Sequence, residues 1–487
     1  MGTRGLLDTH KTATPRNAAG EHPVEPPPRS VNPATEEVLR AFEFHTSSEV
    51  ETILDRAAAG FRRWRGTSPK ERAGVLARIG SELRKNKATL AHTVTLEMGK
   101  PIGQAEAEVE KCAWVCEYYA ENGERLLADE AVHTSAAETY VSFLPLGVIA
   151  AVMPWNFPLW QVFRAGTSAL MAGNALLLKH APNVLLTSFA IEKILQESGL
   201  PQGVFQNLVV PSWQMDDILE DKRIAGVTLT GSPAAGSAVA SRAGKSLKKS
   251  VLELGGSDAF LVLEDADLEA AVAAGARARF DNAGQICIAP KRFILVEKIA
   301  AEFERRMAEA VSGIRVGDPL DRSTQMGPMA RADLRDRLDR QVQSSIQAGA
   351  RLVRGGKPRP GKGYFYEPTI LADVTPTMAA FREEVFGPVA VLIRTSDPEH
   401  ALQLANDSDY GLTSNIWTRN LKLARELARR IETGGVFVNS ASASDPRVPF
   451  GGIKGSGYGR ELSSFGIREF VNMQTVWIGP AGATPAH

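Results

Sequence analysis

The sequence predicts an α/β protein with two parallel-sheet domains and a separate pair of β-strands. Short apolar runs alternate with helical segments from residue 147 onwards, and the alternation restarts after residues 257–267, "SDAFLVLEDAD". Such alternation is typical of right-handed βαβ units and of a sheet that is covered on both faces. Two β-rich segments, residues 138–147 and 470–479, fit neither sheet and predict a ribbon between subunits.

Helical signals precede the first sheet. Ser68 is a typical N-cap, Pro69 suits the first helical position, and Gly99 suits the position past the end, so one long helix is expected between them. Further helices are expected to begin near Pro158, Leu185, Gln214 and Pro233. The apolar runs predict strands, which are "VIAAVM", "ALLLK", "VFQNLVV", "AGVTLTG" and "KSVLELGG" in the first sheet and "RFILVE", "FGPVAVLI" and "GGVFVN" in the second.

Composition narrows the class of protein. A chain of 487 residues is too long for one ordinary core, and its length predicts roughly three domains. Lys and Arg together number 56, as do Asp and Glu, and 44% of the residues are hydrophobic. This balance argues against a nucleic-acid-binding surface and against a disordered chain, so small molecules and copies of the same chain are the expected partners. The Pro-rich residues 1–30 predict a flexible N-terminal arm.

The cysteines indicate the compartment. Cys112 and Cys116 lie four residues apart in a helical run, and no second Cys or His pair follows at a zinc-ligand spacing, so we expect buried core thiols and no metal. A sparse, odd cysteine count, with neither a signal-peptide segment nor a long uncharged run, predicts a reduced, cytoplasmic location and no membrane span.

Polar residues at strand ends are candidates for chemistry. Glu253 lies in an apolar strand before a Gly-Gly turn, so it is either a base with a raised pKa or a carboxylate that binds loop amides. Asn156 follows another strand and is either a turn former or a donor to an oxyanion. Gly231 and Ser232 begin a helix whose N-terminus is either a pyrophosphate site or an ordinary capped end.

Together with Cys287, these residues resemble the aldehyde dehydrogenase superfamily. Motifs in family order and at family spacing run from about residue 31 to residue 477, namely "EMGKP", "PWNFP", "LTGS", "LELGG", "GQICIAPKRF", "EEVFGPV", "ANDSDYGL", "GGVFVN" and "PFGGIKGSGYGREL". The resemblance implies three parts and a homodimer or homotetramer. The parts are a coenzyme-binding domain of residues 31–130 and 147–254, a catalytic domain of residues 255–455, and an oligomerisation element of residues 131–146 with the tail 456–487.

The resemblance also implies residue roles. Cys287 is expected to be the nucleophile, Asn156 and the Cys287 backbone N–H to form the oxyanion hole, and Glu253 to be the base that activates water against a thioester. NAD or NADP is the implied coenzyme, with Lys179 on its adenosine ribose and Glu384 on its nicotinamide ribose. The implied coenzyme-binding residues are Trp155, Lys179, Gly231, Ser232, Glu384 and Phe386.

A departure from the family bears on the coenzyme. NAD-selective members often carry an acid three residues after the ribose-binding lysine, where a carboxylate repels a 2′-phosphate. This sequence has Pro182 at that position, so NADP is expected to be tolerated beside NAD.

The substrate expectation rests on a cation near the entrance. Arg164 resembles the carboxylate-binding residue of succinate-semialdehyde dehydrogenases, with Arg447 as a second donor and Trp160 in the tunnel wall. Asp281 and Ala289 depart from the mammalian type, which has an Arg and a second Cys at these positions. The alternatives are a dehydrogenase for other aliphatic or aromatic aldehydes and a catalytically silent structural protein of this fold. A coenzyme-A-acylating enzyme is disfavoured because such enzymes lack the base at Glu253.

Overall fold

The computed structural model describes residues 25–479. Residues 1–24 and 480–487 lie outside the described part, and most of the predicted N-terminal arm lies with them. The described chain begins with a small antiparallel sheet and four helices: β1 (Arg29–Val31), β2 (Val38–Ala41), α1 (Ser47–Trp64), α2 (Pro69–Lys85), α3 (Lys87–Met98) and α4 (Ile102–Leu126).

One long helix was expected between Ser68 and Gly99, but the structure has two helices, α2 and α3. The prediction of a single continuous helix was therefore wrong. The predicted ends are confirmed: Ser68 caps α2 in a capping box with Glu71, and Gly99 ends α3 in the left-handed conformation at φ 78°. The break is at Asn86, whose side-chain amide donates to the Glu82 carbonyl at 2.9 Å. An Asn side chain that bonds to a backbone carbonyl of the preceding turn competes with continuation of the helix.

The next part of the chain builds the first parallel sheet. Its elements are β3 (Glu130–Ala131), β4 (Glu138–Pro145), β5 (Val148–Met153), α5 (Trp160–Ala172), β6 (Ala175–His180), α6 (Leu185–Glu197), β7 (Phe205–Asn207), α7 (Met215–Glu220), β8 (Ile224–Thr230), α8 (Pro233–Lys245) and β9 (Lys249–Glu253). Five of these strands form a parallel sheet in the order β9-β8-β5-β6-β7. Cys112 and Cys116 are fully buried in the core that packs beneath this sheet, as predicted.

The second sheet follows. Its elements are β10 (Asp258–Val262), α9 (Leu268–Phe280), β11 (Pro290–Val296), α10 (Glu297–Ser312), α11 (Ala332–Gln347), β12 (Arg351–Arg354), β13 (Thr369–Ala372), α12 (Ala379–Arg382), β14 (Val389–Thr395), α13 (Pro398–Asn406), β15 (Tyr410–Gly411), β16 (Thr413–Trp417), α14 (Leu421–Ala428) and β17 (Gly435–Val438). The strand order is β12-β13-β14-β11-β10-β16-β17, and all neighbours are parallel except β12 and β13. The two parallel sheets were predicted from the apolar runs, whereas β12, β13 and β16 were not.

The C-terminal part of the described chain adds strands to the first sheet and to the separate strands β3 and β4. Its elements are β18 (Ile453–Lys454), β19 (Gly457–Tyr458), α15 (Ser463–Ile467) and β20 (Val471–Ile478). Strand β19 joins the first sheet antiparallel to β9, where Gly457 pairs with Glu253. Strand β20 pairs with β4 along its whole length, and β3 completes a three-stranded sheet apart from the other two. The predicted separate strand pair is therefore confirmed.

The arrangement of the sheets positions the candidate residues. Asn156 follows the carboxyl end of β5, and Glu253 closes β9. Cys287 lies in the loop that enters β11 of the second sheet. The three predicted catalytic residues therefore come from two strand ends of the first sheet and one loop of the second sheet. None of the helices within residues 25–479 is long and apolar enough to cross a membrane.

Candidate active site

The loop before Cys287 has an unusual backbone. Asn282 and Ala283 have positive φ values of 53° and 51°, and Gly284 follows at 71°. A non-glycine residue in this region costs on the order of 1–3 kcal/mol and persists only where its surroundings hold it. The Gln285 side chain helps to stabilise this backbone conformation. Its amide nitrogen donates to the Asn282 carbonyl at 3.0 Å, and its oxygen accepts from the Ala330 N–H at 3.0 Å.

Asn156 is tied to the same loop. Its side-chain Nδ2 donates to the Gln285 carbonyl at 3.1 Å, and Nδ2 of Asn282 donates back to the Asn156 carbonyl at 2.9 Å. Both asparagines are buried. Because an amide nitrogen carries two N–H groups, Asn156 retains a second donor beside the Cys287 loop. The structure thus brings together two of the predicted residues, through an asparagine and a glutamine that the sequence analysis did not single out.

Glu253 is a buried carboxyl group without a hydrogen bond. Only 2% of the residue is exposed, and neither carboxylate oxygen has a hydrogen-bond partner within the described chain. Gly451 packs so closely that a β-carbon there would lie 2.7 Å from Oε1 of Glu253. Burial raises the pKa of Glu253 well above its usual value, and the negative charge of Glu461 raises it further, while Arg164 opposes both. An unpaired carboxyl with a raised pKa is suited to general-base catalysis.

Burial and nearby cations shift the pKa of the Cys287 thiol in opposite directions. Burial raises the pKa of the Cys287 thiol to about 11, and the positive charges of Arg164 and Lys291 lower it. Lys291 is fixed beside the loop, because its Nζ donates to the carbonyls of Ile286 and Cys287. The thiol form therefore predominates at neutral pH, and the two cations favour formation of the thiolate.

Arg164 has a protein partner. Its Nε donates to Glu461 in a buried ion pair, its Nη2 donates to Thr230 Oγ1 at 3.2 Å, and its guanidinium lies 4.5 Å from the ring of Phe450. Only 1% of Arg164 is exposed. Glu461 thus occupies the place that the sequence analysis assigned to a substrate carboxylate. The predicted direct contact between Arg164 and the substrate is not supported by this arrangement.

Arg447 lies in different surroundings. Its side chain is 68% exposed and forms a bidentate ion pair with Asp445, with hydrogen bonds of 2.9 and 2.5 Å. Its guanidinium lies 5.7 Å from the ring of Trp114, and it lines the mouth of a cavity of about 530 Å³. Arg447 and Arg164 therefore do not share one binding position, because one is at the surface and the other is in the core.

Lys179 lines a second cavity, of about 430 Å³, at the carboxyl end of β6. Pro182 lies in the wall of this cavity and is exposed, and no acidic residue follows Lys179 within its own loop. The structure adds Glu25, which lines the same cavity and accepts from the Ser212 N–H at 2.8 Å. Burial lowers the pKa of Lys179, and the charge of Glu25 opposes that shift. The cavity suits a ribose with or without a phosphate.

The predicted residues Gly231 and Ser232 lie between β8 and α8. Ser232 caps α8 by accepting from the Ala235 N–H at 3.3 Å, and the Gly231 N–H donates to the Glu253 carbonyl at 3.0 Å. The capped N-terminus of α8 presents free N–H groups, which suits a pyrophosphate.

The remaining predicted coenzyme-binding residues are Trp155, Phe386 and Glu384. The rings of Trp155 and Phe386 meet edge to face at 5.9 Å. Glu384 accepts from the Gly256 N–H at 2.9 Å, and its carboxylate lies 4.0 Å from Nζ of Lys291. These contacts connect Glu384 to the Cys287 loop through Lys291, and they suit a ribose hydroxyl at the nicotinamide end of a dinucleotide.

Trp160 begins α5 and contacts Glu108 and Lys111, two residues to which the sequence analysis gave no role. Its backbone N–H donates to Glu108 at 2.9 Å, and its ring lies 4.4 Å beneath Nζ of Lys111. Lys111 belongs to the segment that was considered only for its cysteines, and Glu461 belongs to a family motif but had no assigned role. The sequence shows that each of these residues is charged, but it does not show which residues contact them in the folded protein.

Comparisons with known proteins extend over nearly the whole chain. The model of the family described as "Aldehyde dehydrogenase family" matches residues 24–476. A succinate semialdehyde dehydrogenase, NAD(P)+, of Escherichia coli strain K12 is 50% identical over 448 residues, which are 92% of this chain and 97% of that protein. A probable succinate-semialdehyde dehydrogenase, NADP(+), of Synechocystis is 47% identical over 449 residues, 92% of this chain and 99% of that protein.

A solved structure shows the same fold. The succinic semialdehyde dehydrogenase of Streptococcus pyogenes, in complex with NADP+, superimposes with a TM-score of 0.91 at 37% identity. The superposition covers 93% of this chain and 100% of that chain. The likeness therefore includes both parallel sheets and the separate ribbon.

Proposed function

The chain belongs to the aldehyde dehydrogenase family, and from this premise we propose that it oxidises succinate semialdehyde to succinate with NAD or NADP as electron acceptor. The predicted family and fold class are confirmed. The observation that carries the chemistry is the hydrogen-bonded attachment of the Cys287 loop to Asn156, and the unpaired buried carboxyl of Glu253 supports it. The names of relatives at 47% and 50% identity support the substrate and the use of either coenzyme.

The proposed reaction begins at Cys287. Its thiolate adds to the aldehyde carbon, and the carbonyl oxygen becomes an oxyanion that accepts hydrogen bonds from the Asn156 amide and the Cys287 backbone N–H. A bound nicotinamide coenzyme supplies the hydride acceptor, and a thioester at Cys287 remains. The residues that suit this coenzyme are Trp155, Lys179, Gly231, Ser232, Glu384 and Phe386, for the reasons of charge and geometry given above.

The thioester is then hydrolysed. Glu253 takes a proton from water, the resulting hydroxide attacks the thioester carbon, and the carbon–sulfur bond breaks. The acid leaves, and Cys287 recovers its thiolate. In sum, one aldehyde, one water and one oxidised coenzyme give one acid, one reduced coenzyme and one proton. Glu253 suits this step because its carboxylate has no competing hydrogen bond.

Steady-state kinetics test the proposed function. We expect kcat/KM for succinate semialdehyde to exceed that for butanal, an uncharged aldehyde of the same chain length, with both NAD and NADP. The measurement is the absorbance of the reduced coenzyme. Equal values for the two aldehydes would favour the alternative of a general aldehyde dehydrogenase, and no activity with any aldehyde would favour a silent structural protein.

Replacement of Asn156 tests the oxyanion hole. Asn156→Ala is expected to lower the rate of the hydride step by about 10²–10³, because one preorganised donor to the oxyanion is lost. The measurement is the single-turnover rate of coenzyme reduction. Asn174→Ala is a suitable control, since Asn174 is a buried asparagine before β6 that accepts from the Gly147 N–H and donates to the Phe470 carbonyl. A rate that Asn156→Ala leaves unchanged would remove Asn156 from the oxyanion hole.

Replacement of Pro182 tests the coenzyme preference. Pro182→Glu is expected to weaken NADP use by about tenfold or more, because a carboxylate near a 2′-phosphate adds like-charge repulsion, while NAD use survives. The measurement is KM for each coenzyme, with Pro182→Gln as the uncharged variant of the same size. An equal loss with both coenzymes would show that Pro182 shapes the backbone and does not control charge.

We also propose a cytoplasmic homodimer or homotetramer that assembles through the ribbon of β3, β4 and β20. The support is the exposed outer part of β20, where Met473, Trp477 and Ile478 are each 44–58% exposed. A single exposed strand edge with large apolar side chains favours pairing with a second copy. Light scattering coupled to size exclusion tests this, and a monomer at micromolar concentration would contradict it.

The unpaired Cys287 thiol supports a reduced compartment.

A further inference from the structure

A lysine lies between the surface cavity and the active site. Lys111, Trp114 and Tyr118 are spaced three and four residues apart on α4, so their side chains share one face of the helix. Trp114 and Tyr118 line the cavity whose mouth Arg447 borders. Lys111 lies one turn further along this face and contacts buried residues, so the face leads from solvent towards the interior.

The ammonium group of Lys111 is incompletely paired. Its Nζ donates to Ser444 Oγ at 2.7 Å and lies 4.4 Å from the centre of the Trp160 ring. No carboxylate oxygen of residues 25–479 lies within 4.0 Å of it. The nearby acids are already engaged: Glu108 pairs with Lys100 and accepts two backbone N–H groups, and Glu110 pairs with Lys87 and Arg84. An ammonium has three donors, so Lys111 retains capacity for an anion.

Burial and the charges of nearby residues shift the pKa of Lys111. Burial lowers its pKa to about 8, the positive charge of Arg164 lowers it further, and Glu108 and Cys287 oppose the shift. Burial of a cation without an anionic partner costs free energy, and a bound carboxylate offsets that cost. Glu108, one helical turn before Lys111, accepts from the N–H groups of Leu159 and Trp160 at 2.9 Å, and the Trp160 ring contacts Lys111, so Lys111 lies beside the turn that follows Asn156.

We propose that Lys111 is the specificity-determining residue that binds the remote carboxylate of the substrate, and that it selects short aldehydes with an anionic group at the far end. The inference rests on the proposed oxidation of a semialdehyde. It differs from the expectation based on Arg164, whose guanidinium is already paired with Glu461. Arg164 contributes to the positive potential of the site, while Lys111 offers the free N–H donors.

Replacement of the charge tests this role. Lys111→Met keeps the length of an unbranched side chain and removes the ammonium. We expect kcat/KM for succinate semialdehyde to fall by about 30-fold or more, mainly through KM, because one partner of a desolvated charge pair is lost. The value for butanal is expected to fall far less, and Lys111→Arg is expected to recover part of the loss.

Controls separate this result from a structural effect. Lys87→Met removes a lysine that pairs with Glu110, the residue before Lys111, and is expected to leave both substrates unaffected. An equal fall for both aldehydes in Lys111→Met would show that Lys111 only supports the fold around Trp160. An unchanged preference for the semialdehyde would also overturn the proposal.

Inhibition by succinate makes the test independent of semialdehyde turnover. Succinate is expected to compete with butanal in the wild-type protein, and its inhibition constant is expected to rise about 30-fold or more in Lys111→Met. An unaltered inhibition constant would overturn the role of Lys111. The proposed function fails separately, if the wild-type protein shows no preference for succinate semialdehyde over butanal.

Discussion

Replacement of Cys287 with alanine is expected to abolish the formation of reduced coenzyme. The proposed reaction requires a sulfur atom to carry the acyl group, and loss of a catalytic nucleophile typically lowers kcat by about 10⁶-fold. The expected cause is chemical, because Cys287 is only partly buried and its removal leaves the hydrogen bonds among Asn156, Asn282 and Gln285 intact. The measurement is coenzyme reduction with succinate semialdehyde, together with a thermal unfolding curve.

Another cysteine provides the matched control. Cys116 is fully buried, and its Sγ lies 3.8 Å from Thr167 Oγ1 in the core. Cys116→Ala is expected to cost some stability by leaving a small cavity, but to keep activity. Comparable activity in Cys287→Ala and Cys116→Ala would contradict the assignment of the nucleophile.

Replacement of Glu253 is expected to separate the two halves of the reaction. Glu253→Gln should release one equivalent of reduced coenzyme per active site in a burst and then stall, because the thioester forms without the base that hydrolyses it. Steady-state turnover is expected to fall by about 10²–10⁴. The measurement is rapid mixing for the burst and intact-protein mass spectrometry for the acylated Cys287.

Glu469→Gln is the control for this prediction. Glu469 pairs with Lys249 on the same strand as Glu253, and it contributes the smallest of the charge effects on the pKa of Glu253. It is expected to show no burst and near-normal turnover. Turnover of Glu253→Gln at the wild-type rate would assign the base to another residue.

The pH dependence of deacylation follows from the same carboxyl group. Because the pKa of Glu253 is raised, the group is protonated over a range in which an exposed glutamate is ionised, and a protonated carboxyl cannot take a proton from water. The deacylation rate is therefore expected to increase with pH as Glu253 loses its proton. The rate should become independent of pH once the group is fully ionised.

Several helices and strands could be predicted from the sequence because local patterns encode them. Apolar runs such as those of β5 and β6 predict buried parallel strands, and Ser68 and Pro233 mark helix starts through capping preferences that involve only a few neighbouring residues. The break at Asn86 was missed because its side chain competes with a helix that the surrounding residues favour.

The candidate residues of the site could be proposed from the sequence through the family resemblance. Cys287, Glu253 and Asn156 stand in ordered motifs, and each motif specifies both a residue type and the strand end or loop that carries it. The carboxyl ends of parallel strands lie at one edge of a sheet, which places Asn156 and Glu253 at the same edge, whereas Cys287 comes from the loop before β11 of the other sheet.

The sequence by itself therefore determined the two parallel sheets, the separate strand pair, the family resemblance and the residues with reactive groups. Only the tertiary structure decided which charges are paired: Arg164 with Glu461, at 297 residues' separation, and Lys111 with the Ser444 hydroxyl, at 333. A basic side chain has the same appearance in a sequence whether it meets a carboxylate, a hydroxyl or a substrate. Its partner depends on how distant segments pack, and in a buried site that partner determines whether a cation is already neutralised or free to bind an anion.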